Sequence, residues 1–418
     1  MKRALVFGGG GSKGAYEIGV WKALDALGQT FDIVTGTSIG SMIGVLYVQR
    51  QYDKVIELWD NLHVEDIMTN GVNIDLDMEL LMSQKEKYHD FLSSYIHNKG
   101  ADITPFEDLL RRYFDAERFF SSPIDYACMT VNVTKKKPKV FYKKDMTPET
   151  VLDYIIASGS CFPMLPMKEI DGEMYVDGGY YDNVPIHLAE SMGAEEVVAV
   201  NLKAVGVLRT NDIKADVICI EPHVSLGSFL LFDKEVIHRN IQLGYQDTLK
   251  KFNYYIGTIY TFDKKQKKEI EAVEDVLKYG MKTIEETLQR EKMKFLVEKI
   301  VFHQVLDAID SYMSFPYPYL AILESCAFSF RFDDLKVWDF KQFLTELLRF
   351  ADEHAHISFN KKIDLKNVKK DGSMESVCLL YHYLLKEDAN ISALGFGSVV
   401  FNDSFIKAYA LYLLKQHG

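Results

Sequence analysis

Short apolar runs alternate with glycine clusters and amphipathic segments near the start of the chain. Arg3–Phe7 is mostly apolar and stops at Gly8, which predicts a short buried strand. Ala15–Leu27 then places apolar side chains at helical spacing. A second short run, Asp32–Thr35, leads into Gly36, and helical spacing resumes after it. This order of strand, helix, strand and helix predicts an α/β unit with a parallel sheet.

The pattern continues to about residue 250. Tyr126–Val133 and Lys139–Tyr142 predict paired strands, and Glu195–Asn201 and Val217–Ile220 predict two more. Asp233–Phe252 has the spacing of a helix. We therefore expect residues 1–260 to form a catalytic-type domain with a mostly parallel sheet flanked by helices.

A charge run at residues 263–269 separates this region from the rest of the chain. Beyond it, apolar residues repeat every three to four positions, as on one face of a long helix. These positions are Ile270, Val273, Leu277, Met281, Ile284 and Leu288. Residues 261–418 are predicted to form a mainly α-helical accessory domain.

Composition and charge narrow the class of protein. The 418 residues are 48% hydrophobic and 26% charged, which is typical of a folded globular protein. The formal net charge of −12 counts against nucleic acid as a partner, because the average surface repels phosphates. Any contact with lipid must then be local and largely apolar.

The cysteines and the N-terminus bear on location. The five cysteines are widely scattered and show neither a CxxC pair nor Cys/His ligand spacing, so no disulfide framework or metal site is predicted. The first apolar run is too short for a signal peptide, and no run is long enough to span a bilayer. We expect a cytoplasmic protein and leave peripheral membrane contact open.

Gly36–Gly40 matches G-x-S-x-G between a predicted strand and a predicted helix. In that context the pattern describes a nucleophile elbow, a turn so tight that its flanking positions, Gly36 and Gly40, need glycine. Ser38 is then the candidate nucleophile. The plainer alternative is that the glycines shape a turn and Ser38 caps the next helix.

A second glycine cluster, Gly8–Gly14, follows the first predicted strand. Its backbone amides could stabilise negative charge on a dinucleotide pyrophosphate or on the oxyanion of an acyl intermediate. Gly9, Gly11 and Gly14 fit the dinucleotide pattern G-x-G-x-x-G, although the end of the second strand holds the elbow rather than an acidic residue. An oxyanion hole explains both glycine clusters with one reaction.

A serine nucleophile needs a base, and none of the eleven histidines has an evident role as one. Asp177 is the other candidate, since apolar residues precede it and Gly178 and Gly179 follow it. Two glycines would expose the carboxylate at a turn. The alternative for this segment is an ordinary Asx turn.

Together these motifs resemble the patatin-like phospholipase family, which has a glycine-rich loop, a G-x-S-x-G elbow and a D-G-G or D-G-A turn in this order. Here they are Gly9–Gly14, Gly36–Gly40 and Asp177–Gly179. The similarity also takes in Ala157–Ser160 before the turn and Asp182–Pro185 after it. It covers roughly residues 1 to 255.

The resemblance implies that Ser38 attacks an ester and that Asp177 accepts its proton without a histidine. It implies an oxyanion hole at Gly10 and Gly11, supported by Gly9. The expected substrate is a phospholipid or another glycerolipid, and the expected fold is patatin-like. No cofactor or metal is required.

Lys13 stands where the family often has arginine, and Asp182 where it often has asparagine. Lys13 and four glycines are expected to support the site, the glycines being Gly14, Gly36, Gly40 and Gly178. Three alternatives stay open: an esterase or thioesterase for soluble acyl compounds, a dinucleotide-binding protein, and a non-catalytic lipid-binding protein. Oligomeric state is not predicted.

Overall fold

A computed structural model describes residues 1–67, 101–290, 307–358, 373–386 and 402–417. The chain divides into two compact units, Met1–Lys251 and Phe252–Gly418. The predicted limit at residue 260 lies inside the second unit, and the assignment of 1–260 and 261–418 as domains stays a prediction. Among the described residues, no helix is both long and apolar enough to cross a membrane.

The first unit is built on one large sheet. Its strands are β1 (Lys2–Phe7), β2 (Ile33–Thr37), β3 (Asp125–Asn132), β4 (Lys137–Tyr142), β5 (Lys168–Ile170), β6 (Glu173–Asp177), β7 (Ala194–Val200) and β8 (Asp216–Ile220). The order across the sheet is β5-β6-β3-β2-β1-β7-β8, and β4 also pairs with β3. The five strands from β3 to β8 in that order are parallel, whereas β4, β5 and β6 are joined by antiparallel pairs.

Helices connect these strands. They are α1 (Ala15–Ala26), α2 (Ile39–Val48), α3 (Tyr52–Asp60), α4 (Thr104–Tyr113), α5 (Ala116–Ser121), α6 (Val151–Gly159), α7 (Ile186–Ser191) and α8 (Lys234–Lys251).

The last four residues of β1 and all five of β2 are buried. β1 meets burial on both faces with the apolar run Ala4–Phe7. In β2 the buried hydroxyls of Thr35 and Thr37 donate to the Pro185 and Asp182 carbonyls. The predicted α/β class with a mostly parallel sheet is confirmed.

Two strands meet end to end on one edge of β3. β2 runs parallel to β3, and its last residue, Thr37, lies opposite Met129. β6 runs antiparallel to β3, and its last residue, Asp177, lies opposite Thr130. Because β4 occupies the other edge of β3, β2 and β6 must share this one. The ends of β2 and β6 therefore meet beside adjacent residues of β3. Ser38, which follows β2, lies next to the end of β6.

The second unit is mainly helical, as predicted. Its helices are α9 (Lys267–Arg290), α10 (Pro318–Ser329), α11 (Phe340–Ser358), α12 (Met374–Lys386) and α13 (Asn402–His417), with a small sheet of β9 (Tyr255–Ile256), β10 (Thr261–Asp263) and β11 (Val337–Trp338).

The apolar stripe of α9 belongs to the core of this second unit. Ile270, Leu277 and Met281 are buried there, and Val273 packs against the same core. The side chains of Ile284 and Leu288 lie outside the described part of the chain.

Candidate active site

Ser38 occupies a strained turn between β2 and α2. Its φ of 56° and ψ of −127° put a non-glycine residue in backbone space that side chains rarely adopt. A Cβ on Gly36 would lie 2.4 Å from the Gly40 carbonyl oxygen, and one on Gly40 would lie 2.5 Å from the Gly8 carbonyl oxygen. Only glycine fits at either position, so the turn has the close-packed form of a nucleophile elbow.

A buried hydroxyl holds the backbone of this turn. The Ser38 N–H donates to Ser158 Oγ at 2.9 Å, and Ser158 Oγ donates to the Met129 carbonyl at 2.8 Å. Ser158 is fully buried near the end of α6. One side chain thus ties the elbow to the β3 residue beside which β2 ends.

Asp177 lies at the end of β6 and is 6% exposed. Its Oδ1 accepts the Gly179 N–H at 2.7 Å, and its own N–H donates to the Ser160 carbonyl at 2.9 Å. Burial raises the pKa of this carboxyl from 3.8 to about 6, although hydrogen bonds from the Gly179 amide and the Ser38 hydroxyl favour the ionised form. The Ser38 hydroxyl is thus among the groups that act on this carboxyl.

The turn after Asp177 is as tight as the elbow. A Cβ on Gly178 would lie 2.3 Å from the Met129 carbonyl oxygen. That carbonyl is the same one that accepts the Ser158 hydroxyl. Met129 thus anchors both turns, which explains why glycine follows Asp177 directly.

The glycine loop runs beside the elbow and is fixed by two contacts. The Gly9 N–H donates to the Asn183 carbonyl at 3.0 Å, and Asn183 Nδ2 donates to the Gly9 carbonyl at 3.1 Å. Gly11 has a φ of 58° and lies so close to Phe229 that a Cβ would be 2.2 Å from its carbonyl oxygen. Within the described ranges, no hydrogen bond occupies the amides of Gly10 and Gly11. These two N–H groups are available to an anion.

A cavity of about 790 Å³ opens onto all of these groups. Ser38, Asp177, Gly10, Gly11 and Lys13 line it. Most of its remaining wall is apolar, including Ile39, Met42, Phe106, Leu109, Ile155, Leu202, Leu226 and Leu230. Gly36, Gly40 and Gly178 do not line it and act through the backbone. Gly14 allows close packing, since a Cβ there would lie 2.7 Å from the Ile39 side chain.

The sequence interpretation gave no role to two residues that hold this site, Ser158 and Asn183. Each lies in a segment that carries the family resemblance, but each acts on a partner more than a hundred residues away. His223 also lines the cavity. Burial lowers the pKa of its ring, and Asp177 is not among the charged groups that act on it.

Among the described residues, no three His, Cys, Asp or Glu side chains are grouped so that they could hold a metal ion. The arrangement consists of a hydroxyl, a buried carboxylate, two open amides and an apolar cavity.

Residues 5–190 match the family described as Patatin-like phospholipase. This segment is patatin-like. It contains both glycine motifs, Ser38 and Asp177, so the resemblance predicted from the motifs is confirmed for it. The cavity wall also uses residues beyond the patatin-like segment, among them Leu202 and Phe229.

Named relatives match about half of the length of this chain. Lysophospholipase nte1 of Aspergillus oryzae is 30% identical over 201 residues, which are 48% of this chain and 12% of that protein. Patatin-like phospholipase domain-containing protein 7 of Rattus norvegicus is 32% identical over 201 residues, which are 48% of this chain and 13% of that protein. The chain thus matches only a small part of the length of these relatives.

A solved structure, that of VipD from Legionella pneumophila, aligns over 99% of this chain and 90% of its own with a TM-score of 0.38 and 15% identity.

Proposed function

We propose that this protein is a serine hydrolase that cleaves acyl esters of phospholipids or other glycerolipids, with Ser38 as nucleophile and Asp177 as base. One observation carries the proposal: Ser38 and the buried Asp177 carboxyl line the same cavity where the ends of β2 and β6 meet, and the Ser38 hydroxyl is among the groups that lower the pKa of that carboxyl. The names of the relatives and the patatin-like segment support the same reaction class.

The reaction proceeds through an acyl-enzyme. Ser38 Oγ attacks the ester carbonyl carbon while its proton passes to the Asp177 carboxylate. The carbonyl oxygen becomes an oxyanion that accepts the N–H groups of Gly10 and Gly11. When the intermediate collapses, the bond to the alcohol breaks and Asp177 returns the proton to the leaving oxygen.

Water completes the cycle. It attacks the acyl carbon while Asp177 takes one of its protons, and the second intermediate releases the carboxylic acid and returns that proton to Ser38. The pKa of about 6 suits this double role, since a base works best with a pKa near the working pH. The amide of Gly9 already donates to Asn183, so Gly9 contributes by placing the two free amides.

The cavity supports a lipid substrate over a nucleotide. Its wall is largely apolar, which suits an acyl chain and offers little to a ribose or a base. The N–H of Ser12 donates to the Phe229 carbonyl at 2.8 Å and is not free for a pyrophosphate. A dinucleotide should therefore produce no thermal stabilisation.

The test compares substrates and one variant. The full chain is assayed for fatty-acid release from long-chain phosphatidylcholine and lysophosphatidylcholine in micelles, and from a water-soluble short-chain ester, beside Ser38→Ala. We expect turnover of long-chain lipid that rises at micelle formation and is lost in the variant. Turnover of the short ester without any gain from micelles would favour the soluble esterase, and no turnover at all would favour a lipid-binding protein.

A further inference from the structure

Exposed apolar side chains extend the apolar wall of the cavity to the surface. Tyr180, Val205, Val207 and Leu208 are 51%, 47%, 45% and 48% exposed, and we call these four residues the rim. Tyr180, Val205 and Val207 also line the cavity. The rim therefore joins the apolar wall of the cavity to the outer surface.

The catalytic turn itself holds the rim in place. The Val207 N–H donates to the Gly179 carbonyl at 2.9 Å, and the Asn183 N–H donates to the Val207 carbonyl at 2.7 Å. A Cβ on Gly206 would lie 2.7 Å from the Asn183 side chain, so the loop is packed against the turn. The exposure of the rim is thus a fixed consequence of how the loop between β7 and β8 meets the site.

The charges near the rim differ from those of the whole chain. Residues 202–215 carry Lys203, Arg209 and Lys214 against the single acid Asp212, in a chain whose net charge is −12. Arg209 lies over the Tyr181 ring at 4.4 Å, and Lys203 lies 3.3 Å from a Glu221 oxygen. The loop does not repel an anionic or zwitterionic surface, but its contact would be mainly apolar.

We propose that the rim is the surface by which this protein docks on a lipid layer, with Val205 and Leu208 entering among the acyl chains. Exposed apolar clusters mark interaction sites, and this one is continuous with the apolar wall of the cavity. A protein partner on the rim would cover the mouth of the cavity. A lipid layer instead lets an acyl chain pass from the bilayer to Ser38 without crossing water.

This inference rests on the proposed function, but it concerns binding, which a variant without the nucleophile retains. All binding experiments therefore use the full chain with Ser38→Ala, so that vesicles stay intact. The probe is a vesicle of phosphatidylcholine.

The first experiment places a reporter on the rim. Leu208→Trp adds an indole there, while the native Trp21, Trp59 and Trp338 are 0%, 0% and 5% exposed and give a constant background. We expect its emission to shift to shorter wavelength when vesicles are added. The matched control is Val217→Trp on β8, which is 36% exposed and does not line the cavity, and its emission should not change.

The second experiment measures vesicle cosedimentation. Val205→Ser combined with Leu208→Ser should lower the partition coefficient by about tenfold or more, because two aliphatic side chains no longer leave water. The control, Val217→Ser combined with Ile218→Ser, removes similar exposed apolar surface elsewhere and should change it by less than about twofold. Binding should persist at high salt, since apolar insertion is not screened.

Two results would overturn the proposal. An unchanged emission of Leu208→Trp in protein that sediments with vesicles would put lipid contact on another surface. Concentration-dependent self-association in the absence of lipid, abolished by the rim double variant, would make the rim a protein interface. Failure to hydrolyse any lipid would instead count against the proposed function and leave both binding results standing.

Discussion

Two buried carboxylates lie five residues apart in the same connection, and they differ in what they face. Asp177 is 6% exposed and Asp182 is 2% exposed, and burial raises their pKa values to about 6 and about 7. Asp177 lines the cavity, and the Ser38 hydroxyl favours the ionised form of its carboxyl. Asp182 does not line it, and its Oδ1 has no partner among the described residues.

The difference teaches that a raised pKa does not by itself identify a base. Both carboxylates are shifted by the same cause, the loss of water around them. Position separates them, because Asp177 ends the strand that meets β2, whereas Asp182 uses its backbone carbonyl to accept the Thr37 hydroxyl at 2.9 Å. We therefore assign catalysis to Asp177 and a structural role to the segment that holds Asp182.

The role proposed for Asp177 requires Ser38 to be the nucleophile. Ser38→Ala should lower lipid hydrolysis by about 10⁴-fold or more, because it removes the hydroxyl that forms the acyl-enzyme. The melting temperature should stay close to that of the unmodified chain, since the turn depends on Gly36 and Gly40. Fatty-acid release and thermal unfolding check these two outcomes, and substantial residual turnover would move the nucleophile elsewhere.

Exchanging each carboxylate for its amide separates the two directly. Asp177→Asn should lower kcat by about 10²–10⁴-fold, the usual effect of losing a general base. Asp182→Asn should leave kcat within about threefold, well below that range. Equal losses in steady-state assays would show that the connection as a whole, rather than Asp177, is required.

Ser158 tests whether the elbow must be held in place. Ser158→Ala leaves the Ser38 N–H without its acceptor and should lower kcat by about tenfold, which corresponds to about 1.4 kcal/mol of transition-state stabilisation. The control is Ser160→Ala, whose hydroxyl donates only to the Ile156 carbonyl in the same helix. A fall in kcat without a change in KM distinguishes positioning from substrate binding, and equal effects of the two variants would contradict it.

The smallest effect that we expect is on the free energy of unfolding, and we expect it for both Asp177 and Asp182. A folded-state pKa raised above the unfolded value means that ionisation destabilises the fold, by an amount that grows as the pH rises above about 3.8 and is complete above about 6 to 7. Asp177→Asn and Asp182→Asn should each raise the free energy of unfolding at pH 8 by about 1–3 kcal/mol.

This gain in stability should shrink as the pH falls and disappear below about pH 3.8, where both folded and unfolded carboxyls are protonated. Denaturant unfolding at pH 8 and pH 4 provides the measurement. A gain that did not depend on pH would point to packing rather than charge.

The sequence predicted the motifs well because each is local. Gly36 and Gly40 flank the elbow, and close backbone contacts exclude any side chain at either position. The apolar run of β1 marks a strand that is buried on both faces. Both features can be recognised within a window of about ten residues.

The parts of the site that the sequence could not predict depend on how strands far apart in the chain pair with one another. The meeting of Ser38 with Asp177 follows from the pairing of Thr37 with Met129 and of Asp177 with Thr130, which no local pattern specifies. The loop at Val205–Leu208 has no periodicity that would mark it as a rim. The strands of the small sheet contain two or three residues each, too few for alternation to be visible.

Labelling with a fluorophosphonate probe tests the pairing of Ser38 with Asp177 most directly. The probe forms a covalent bond with an activated serine, and peptide mapping by mass spectrometry locates it. We predict that Ser38 is labelled, at a rate that rises with pH through about 6 as Asp177 ionises, and that Asp177→Asn slows it far more than Asp182→Asn does. Labelling at another serine, or labelling of Ser38 at the same rate in Asp177→Asn, would contradict the account.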